Sequence, residues 1–240
     1  MRAMAAERTA QTARSDSIFF LLMAVAMMVV VFIGFSRTYY LKSYFDTPSL
    51  TPLRIVHGAV FTTWMVLFIV QTGLVAANRR DIHRRLGLVG AGIAVLMVGL
   101  GVALAVSALR DGHAPSGGPP PSVLFALPIF TIVVFLLLVI VGMIYRARPQ
   151  FHKRFMTLAT AAILSPALAR FPSSFFQNPL VFFGLTDVFI IACGTYDLVT
   201  RGRVHPATVW GGVAIIASQI LSLLVGGSTI WSRFSTWLMA

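Results

Sequence analysis

The chemistry available to this 240-residue chain rests on five histidines and seven acids, and three of the histidines sit in one kind of setting. Arg79-Arg80-Asp81-Ile82-His83-Arg84-Arg85-Leu86 and Arg148-Pro149-Gln150-Phe151-His152-Lys153-Arg154-Phe155 share a pattern of basic residue, spacer, apolar residue, histidine, two basics and an apolar residue. Arg201-Gly202-Arg203-Val204-His205-Pro206 repeats it more faintly. Each instance precedes a long apolar run, so each histidine falls at the start of a helix. There the positive end of the macrodipole disfavours imidazolium and keeps the ring neutral. Neutral imidazole is the form that ligates a metal or a haem iron.

His83 and His152, on two different helices at similar depth, are the pair that a bis-histidine haem b or a transition metal requires. Gly87 and Gly90 share the face of His83, and Met156 and Ala159 that of His152, which leaves small residues beside each ring. His205 and Asp197 are further candidates, with Asp197 placed to accept the second N–H of an imidazole or to pair with Arg201 one turn on. Two other uses of the same segments stay open. The basic residues serve as plain interfacial anchors, or Arg84, Arg85, Lys153 and Arg154 bind an anionic headgroup or phosphate at helix N-termini.

A second group lies elsewhere. Asp187 falls eight residues into an apolar run, and an intramembrane carboxylate points to function and needs a partner. Arg54 and His57 on the second run are the expected partners. His57, Phe61, Trp64, Phe68 and Gln71 form one stripe at helical spacing. This stripe is expected either to pack or to line a ligand or ion pathway through His57, Arg54, Trp64, Gln71 and Asp187.

The elements that must hold these groups follow from composition. With 58% hydrophobic and 11% charged residues, against about 25% charged in soluble domains, the chain is expected to be a multi-pass membrane protein. Spans need about 20 mainly apolar residues, and seven are predicted: Ser17–Phe35, Ile55–Ala76, Leu86–Ala108, Ser122–Tyr145, Phe151–Ala169, Pro179–Thr200 and Ala207–Gly227. The fold class is thus all-α and polytopic. A flexible tail over residues 1–16 precedes a single transmembrane domain over 17–240, with the first helix uncleaved. Gly112–Pro121 reads as an outer Pro/Gly loop carrying His113.

Of the 19 Lys and Arg residues, 13 lie in the tail or around the second, fourth and sixth connections. By the positive-inside rule the N-terminus is cytoplasmic. The net charge of +12 therefore reads as topology and lipid contact, not nucleic-acid binding. No zinc-protease, serine-hydrolase, P-loop or dithiol motif is present. Five histidines are too few for a histidine-box di-iron centre, and the seventh run has no lysine for a Schiff base.

The segments Val56-His57-Gly58 through Gln71, His83-Arg84-Arg85-Leu86-Gly87, His152-Lys153-Arg154-Phe155-Met156, Tyr196-Asp197-Leu198 and Arg203-Val204-His205-Pro206 resemble a family of uncharacterised multi-pass bacterial inner-membrane proteins. More loosely, His57, His83 and His152 are similar in placement to the histidines of diheme transmembrane b-type cytochromes. The fourth run lacks the histidine that an outer haem would need, so the resemblance implies only the inner pair. The function expected is a redox, electron-transfer or haem- or metal-handling protein of the bacterial inner membrane. The alternatives are a carrier or lipid-binding protein with an outer cavity at His57 and Asp187, and an accessory subunit of a larger membrane complex. The glycine-rich third run also allows a homo-oligomer.

Overall fold

The computed structural model describes residues 2–112 and 119–239, with side chains from residue 14 onward. His113 and most of the predicted outer loop lie outside the described residues. The described chain is helical, without strands: α1 (Arg2–Phe35), α2 (Pro52–Ala76), α3 (Arg80–Arg110), α4 (Pro121–Ile144), α5 (Pro149–Ala162), α6 (Ser165–Leu168), α7 (Pro179–Arg201), α8 (Pro206–Gly226) and α9 (Thr229–Met239). Proline stands at the start of α2, α4, α5, α7 and α8, where its missing N–H is not needed and its φ suits a helix. Thr51, Asn178 and His205 cap α2, α7 and α8 by accepting from the backbone N–H of Arg54, Leu180 and Ala207. Gly202, at φ 68°, ends α7 in the left-handed conformation that glycine adopts without strain.

Among the described residues six helical segments are long and apolar enough to cross a membrane, by length and composition: Arg14–Tyr40, Pro52–Ala76, Arg80–Arg110, Pro121–Ala147, Pro179–Arg201 and Pro206–Gly226. Their outward faces carry Leu22, Leu88, Val95, Val199, Trp210 and Leu224, all exposed. So large an apolar surface suits lipid and not water. The backbone is helical from Arg2 onward, so the predicted tail is the first part of α1, and its last residue, Asp16, is buried.

The predicted fifth span is where the structure differs most. Phe151–Ala169 does not form one long helix. It divides into α5, of 14 residues, and the single turn α6, because Pro166 has no N–H to give the carbonyl four residues back. No residue from Gln150 to Ala169 is exposed. The pair α5–α6 runs beside α1 from one end of the bundle to the other: Lys153 meets Asp16 at one end, and Ala167 meets Gly34 at the other. Gly34 permits that approach, since a Cβ there would run into the Ala167 carbonyl. Leu158, Met27, Met65, Phe135 and Ile215 are all buried and belong to one core cluster.

Candidate functional site

The starts of α3, α5 and α8 and the ends of α2, α4 and α7 gather at one end of the bundle, together with Asp16 of α1. Both predicted motifs and the basic residues of the connections α2–α3, α4–α5 and α7–α8 belong to this end. Successive helical residues are about 100° apart around the axis, so His152, Lys153 and Arg154 of α5 face different neighbours. His152 turns toward α3 and α4, while Lys153 and Arg154 turn toward α1 and α7.

The first group is the histidine pair. The rings of His83 and His152 have centroids 6.2 Å apart and lie at 83° to one another. His152 Nδ1 is 2.8 Å from the Gly142 carbonyl oxygen. A carbonyl only accepts, so Nδ1 carries the hydrogen and Nε2 keeps its lone pair. Gly142 brings the two backbones together, because a Cβ at that position would press on the Met156 sulfur. His83 Nδ1 and Gln71 Oε1 are both buried without a hydrogen-bond partner. Buried polar atoms left without a partner are costly and uncommon in folded proteins.

The second group is an ion network. Arg154 and Asp197 are both 0% exposed and paired. Arg154 Nε donates to the Asp197 carboxylate at 3.0 and 3.2 Å, and Nη2 donates to the same group. Asp197 also accepts from the Thr208 hydroxyl at 2.6 Å and from the His205 backbone N–H at 3.1 Å. Asp16 accepts from Lys153, Gln150, Arg201 and the Tyr196 hydroxyl. Gln150 Oε1 joins the two halves by accepting from Arg154 at 2.8 Å and Arg201 at 2.7 Å. The network therefore holds three cations and two carboxylates.

This network revises several expectations. Arg154 and Lys153 are committed to Asp197 and Asp16, so they leave the anionic-headgroup set, in which only the exposed Arg84 and Arg85 remain. Asp197 takes the backbone N–H of His205, not a ring N–H, and Arg201 Nε lies 3.7 Å from it. The His205 ring accepts the Ala207 N–H at 3.1 Å and lies edge-on to Phe151, which makes it a helix cap. Burial, reinforced by the Arg154 guanidinium, pushes its pKa down to about 4.

The stripe on α2 runs the length of the bundle, and its members do not share one cavity. His57 stacks on Phe61 with centroids 4.0 Å apart, near the end opposite the ion network. Trp64 is buried, with Nε1 3.3 Å from the Thr160 hydroxyl and its ring edge-on to Phe135. Gln71 belongs with the histidine pair at the basic end, where its amide is the nearest group to Gly87. Arg54 lies 3.9 Å from Asp111, and Asp187 accepts from Gln219 Nε2 of α8 at 2.8 Å. The expected partnership of Asp187 with Arg54 or His57 is replaced by one with Gln219. Sequence reasoning missed Gln219, Asp16 and Gln150. The available signal for Asp16 was an acid standing directly before an apolar run at the basic end.

Among the described residues no three His, Cys, Asp or Glu side chains converge as a metal-holding group. The donor set at the basic end is two imidazoles with a glutamine oxygen nearby. No protein-family model, curated protein or solved structure matches this chain.

Proposed function

We propose that the chain is a membrane redox protein of the bacterial inner membrane whose His83 and His152 hold the iron of a haem b. The separation of the two rings carries this reading. The two rings stand on different helices with centroids 6.2 Å apart, near enough that both could hold one iron. A zinc site takes three or four protein ligands, whereas a haem iron brings its own four nitrogens and needs two. His152 could hold the iron through Nε2, because the Gly142 carbonyl fixes the hydrogen on Nδ1. His83 fits because its Nδ1 is buried and unpaired. Bound there, haem would supply one-electron transfer.

The same reading places the basic end at the cytoplasm, by the positive-inside rule, with Arg84 and Arg85 toward anionic lipid headgroups. On this reading α5–α6 makes a seventh crossing, enclosed by the other six.

The test is the absorption spectrum of the protein purified after expression with haem supplied. The expected result is a Soret band and sharp reduced α and β bands, all lost in His83→Ala and His152→Ala, with about one haem per chain. A colourless protein without bound transition metal by elemental analysis would overturn the proposal.

A further inference from the structure

At the end of the bundle opposite the ion network, α9 follows α8 after a break at Gly227 and Ser228. Ser228 Oγ caps the new helix by accepting the Trp231 backbone N–H at 3.2 Å. Successive helical residues turn about 100° around the axis, and the eleven residues of α9 divide into three sectors. Trp231, Ser235 and Leu238 share one, which faces the bundle. Trp231 and Leu238 pack on the cluster of Ala105, Leu109 and Phe125, Trp231 Nε1 donates to the Ser122 carbonyl at 2.8 Å, and Ser235 is buried. Ile230, Phe234 and Trp237 share the next sector and stay outside that packing, at 81%, 40% and 70% exposed. Ser232, Arg233 and Thr236 share the third, which is polar and exposed.

We propose that α9 is an in-plane interfacial helix, seated at the lipid–water boundary of the bilayer with Ile230, Phe234 and Trp237 among the upper acyl chains. Its sectors decide between the placements open to it. Upright beside α4 and α8, α9 would turn Ser232, Arg233 and Thr236 into hydrocarbon. Raised wholly into water, it would leave Ile230, Phe234 and Trp237 uncovered on one face. Lying flat at the boundary, it sets one sector against the bundle, one in lipid and one in water. The depth agrees, because its bundle contacts fall on the last turns of α3 and the first turns of α4, where two membrane-length helices end. The preceding turns of α8 already present Ile220, Leu221 and Leu224 outward, so the apolar surface runs on into α9 along the chain. Large aromatic side chains opposite a basic polar face are the composition of helices that lie in this boundary, and tryptophan favours headgroup level.

The test is nitroxide scanning of α9 in the full chain, with Cys193→Ala as background and one new cysteine at a time, in vesicles of phosphatidylcholine and phosphatidylglycerol. Oxygen, which concentrates among acyl chains, and a nickel chelate, which stays in water, report where each label sits. Labels at Ile230→Cys, Phe234→Cys and Trp237→Cys should respond to oxygen, and those at Ser232→Cys, Arg233→Cys and Thr236→Cys to nickel. Nickel access at the first three positions would overturn the proposal, as would oxygen access at all six, which would mean a helix immersed in the bilayer. Shielding of the first three from both reagents would assign that face to a second copy or another protein, and would overturn it too. Should the cysteine variants fail to fold, brominated lipids decide with the wild-type protein and Trp237→Phe. The emission that Trp237→Phe removes should be quenched more by bromines near the headgroup than by bromines near the chain ends. Quenching by neither, or more by the deep bromines, would be fatal to the idea.

Discussion

Asp197 and Asp187 stand ten residues apart on α7, and the structure serves them in opposite ways. Asp197 receives a guanidinium, a hydroxyl and a backbone N–H, with a second guanidinium at 3.7 Å. Asp187 receives one neutral amide. A carboxylate out of water is tolerable when every lone pair is met and a cation stands beside it. Asp197 meets that condition from within the chain, so it holds α5, α7 and α8 together and has little left for a ligand. Asp187 does not, since a neutral amide is its hydrogen-bond partner. The difference separates a buried acid that ties three helices together from one held by a single contact to α8.

The largest expected effect comes from breaking the satisfied side. Arg154→Met leaves Asp197 buried without its main cation, a loss of about 3–5 kcal/mol. It should appear as a large drop in Tm in detergent, and adding Asp197→Leu should recover most of it. Thr208→Val removes one hydrogen bond to the same carboxylate and should cost about 1.5–3 kcal/mol by the same measurement. If the two substitutions prove additive, the network is less coupled than its shared acceptor implies.

A pH series sharpens the comparison next. His205 has its pKa lowered from 6.5 to about 4 in the folded protein. Between those values the unfolded chain binds the proton and the folded chain does not, so stability falls as pH drops from 6.5 toward 4. Protonation also removes the lone pair that caps α8. His205→Asn keeps a capping side chain and should flatten that part of the Tm-against-pH curve. On the other side, Asp187→Asn should change stability by about 1 kcal/mol or less in the same measurement, since its amide oxygen still accepts from Gln219. Smallest of all, Arg84→Ala and Arg85→Ala lie on the exposed surface and should stay within about 0.5 kcal/mol.

Much of this was readable from residue order. Apolar length located the six long helices, and the basic runs located the end at which His83 and His152 meet. What a sequence supplies is depth along each helix. It does not supply the direction in which neighbouring helices turn. His57 and Asp187 were both legible as buried groups, yet α2 offers His57 to Phe61 and α8 offers Gln219 to Asp187. The break at Pro166 was visible as a proline, but its hydrophobic surroundings resembled a span. Full enclosure by six longer helices, which lets a short polar helix exist there, is a property of packing.

That enclosure separates two demands that a membrane places on a helix. The six long helices present their apolar faces outward and alone must match the thickness of the hydrocarbon layer, where each ångström of mismatch costs a fraction of a kcal/mol. The α5–α6 segment, with no exposed residue from 150 to 169, is released from that match. It can carry a histidine, a lysine, an arginine and a proline break within a few turns, and its sequence can vary in polarity without changing which bilayer the protein fits.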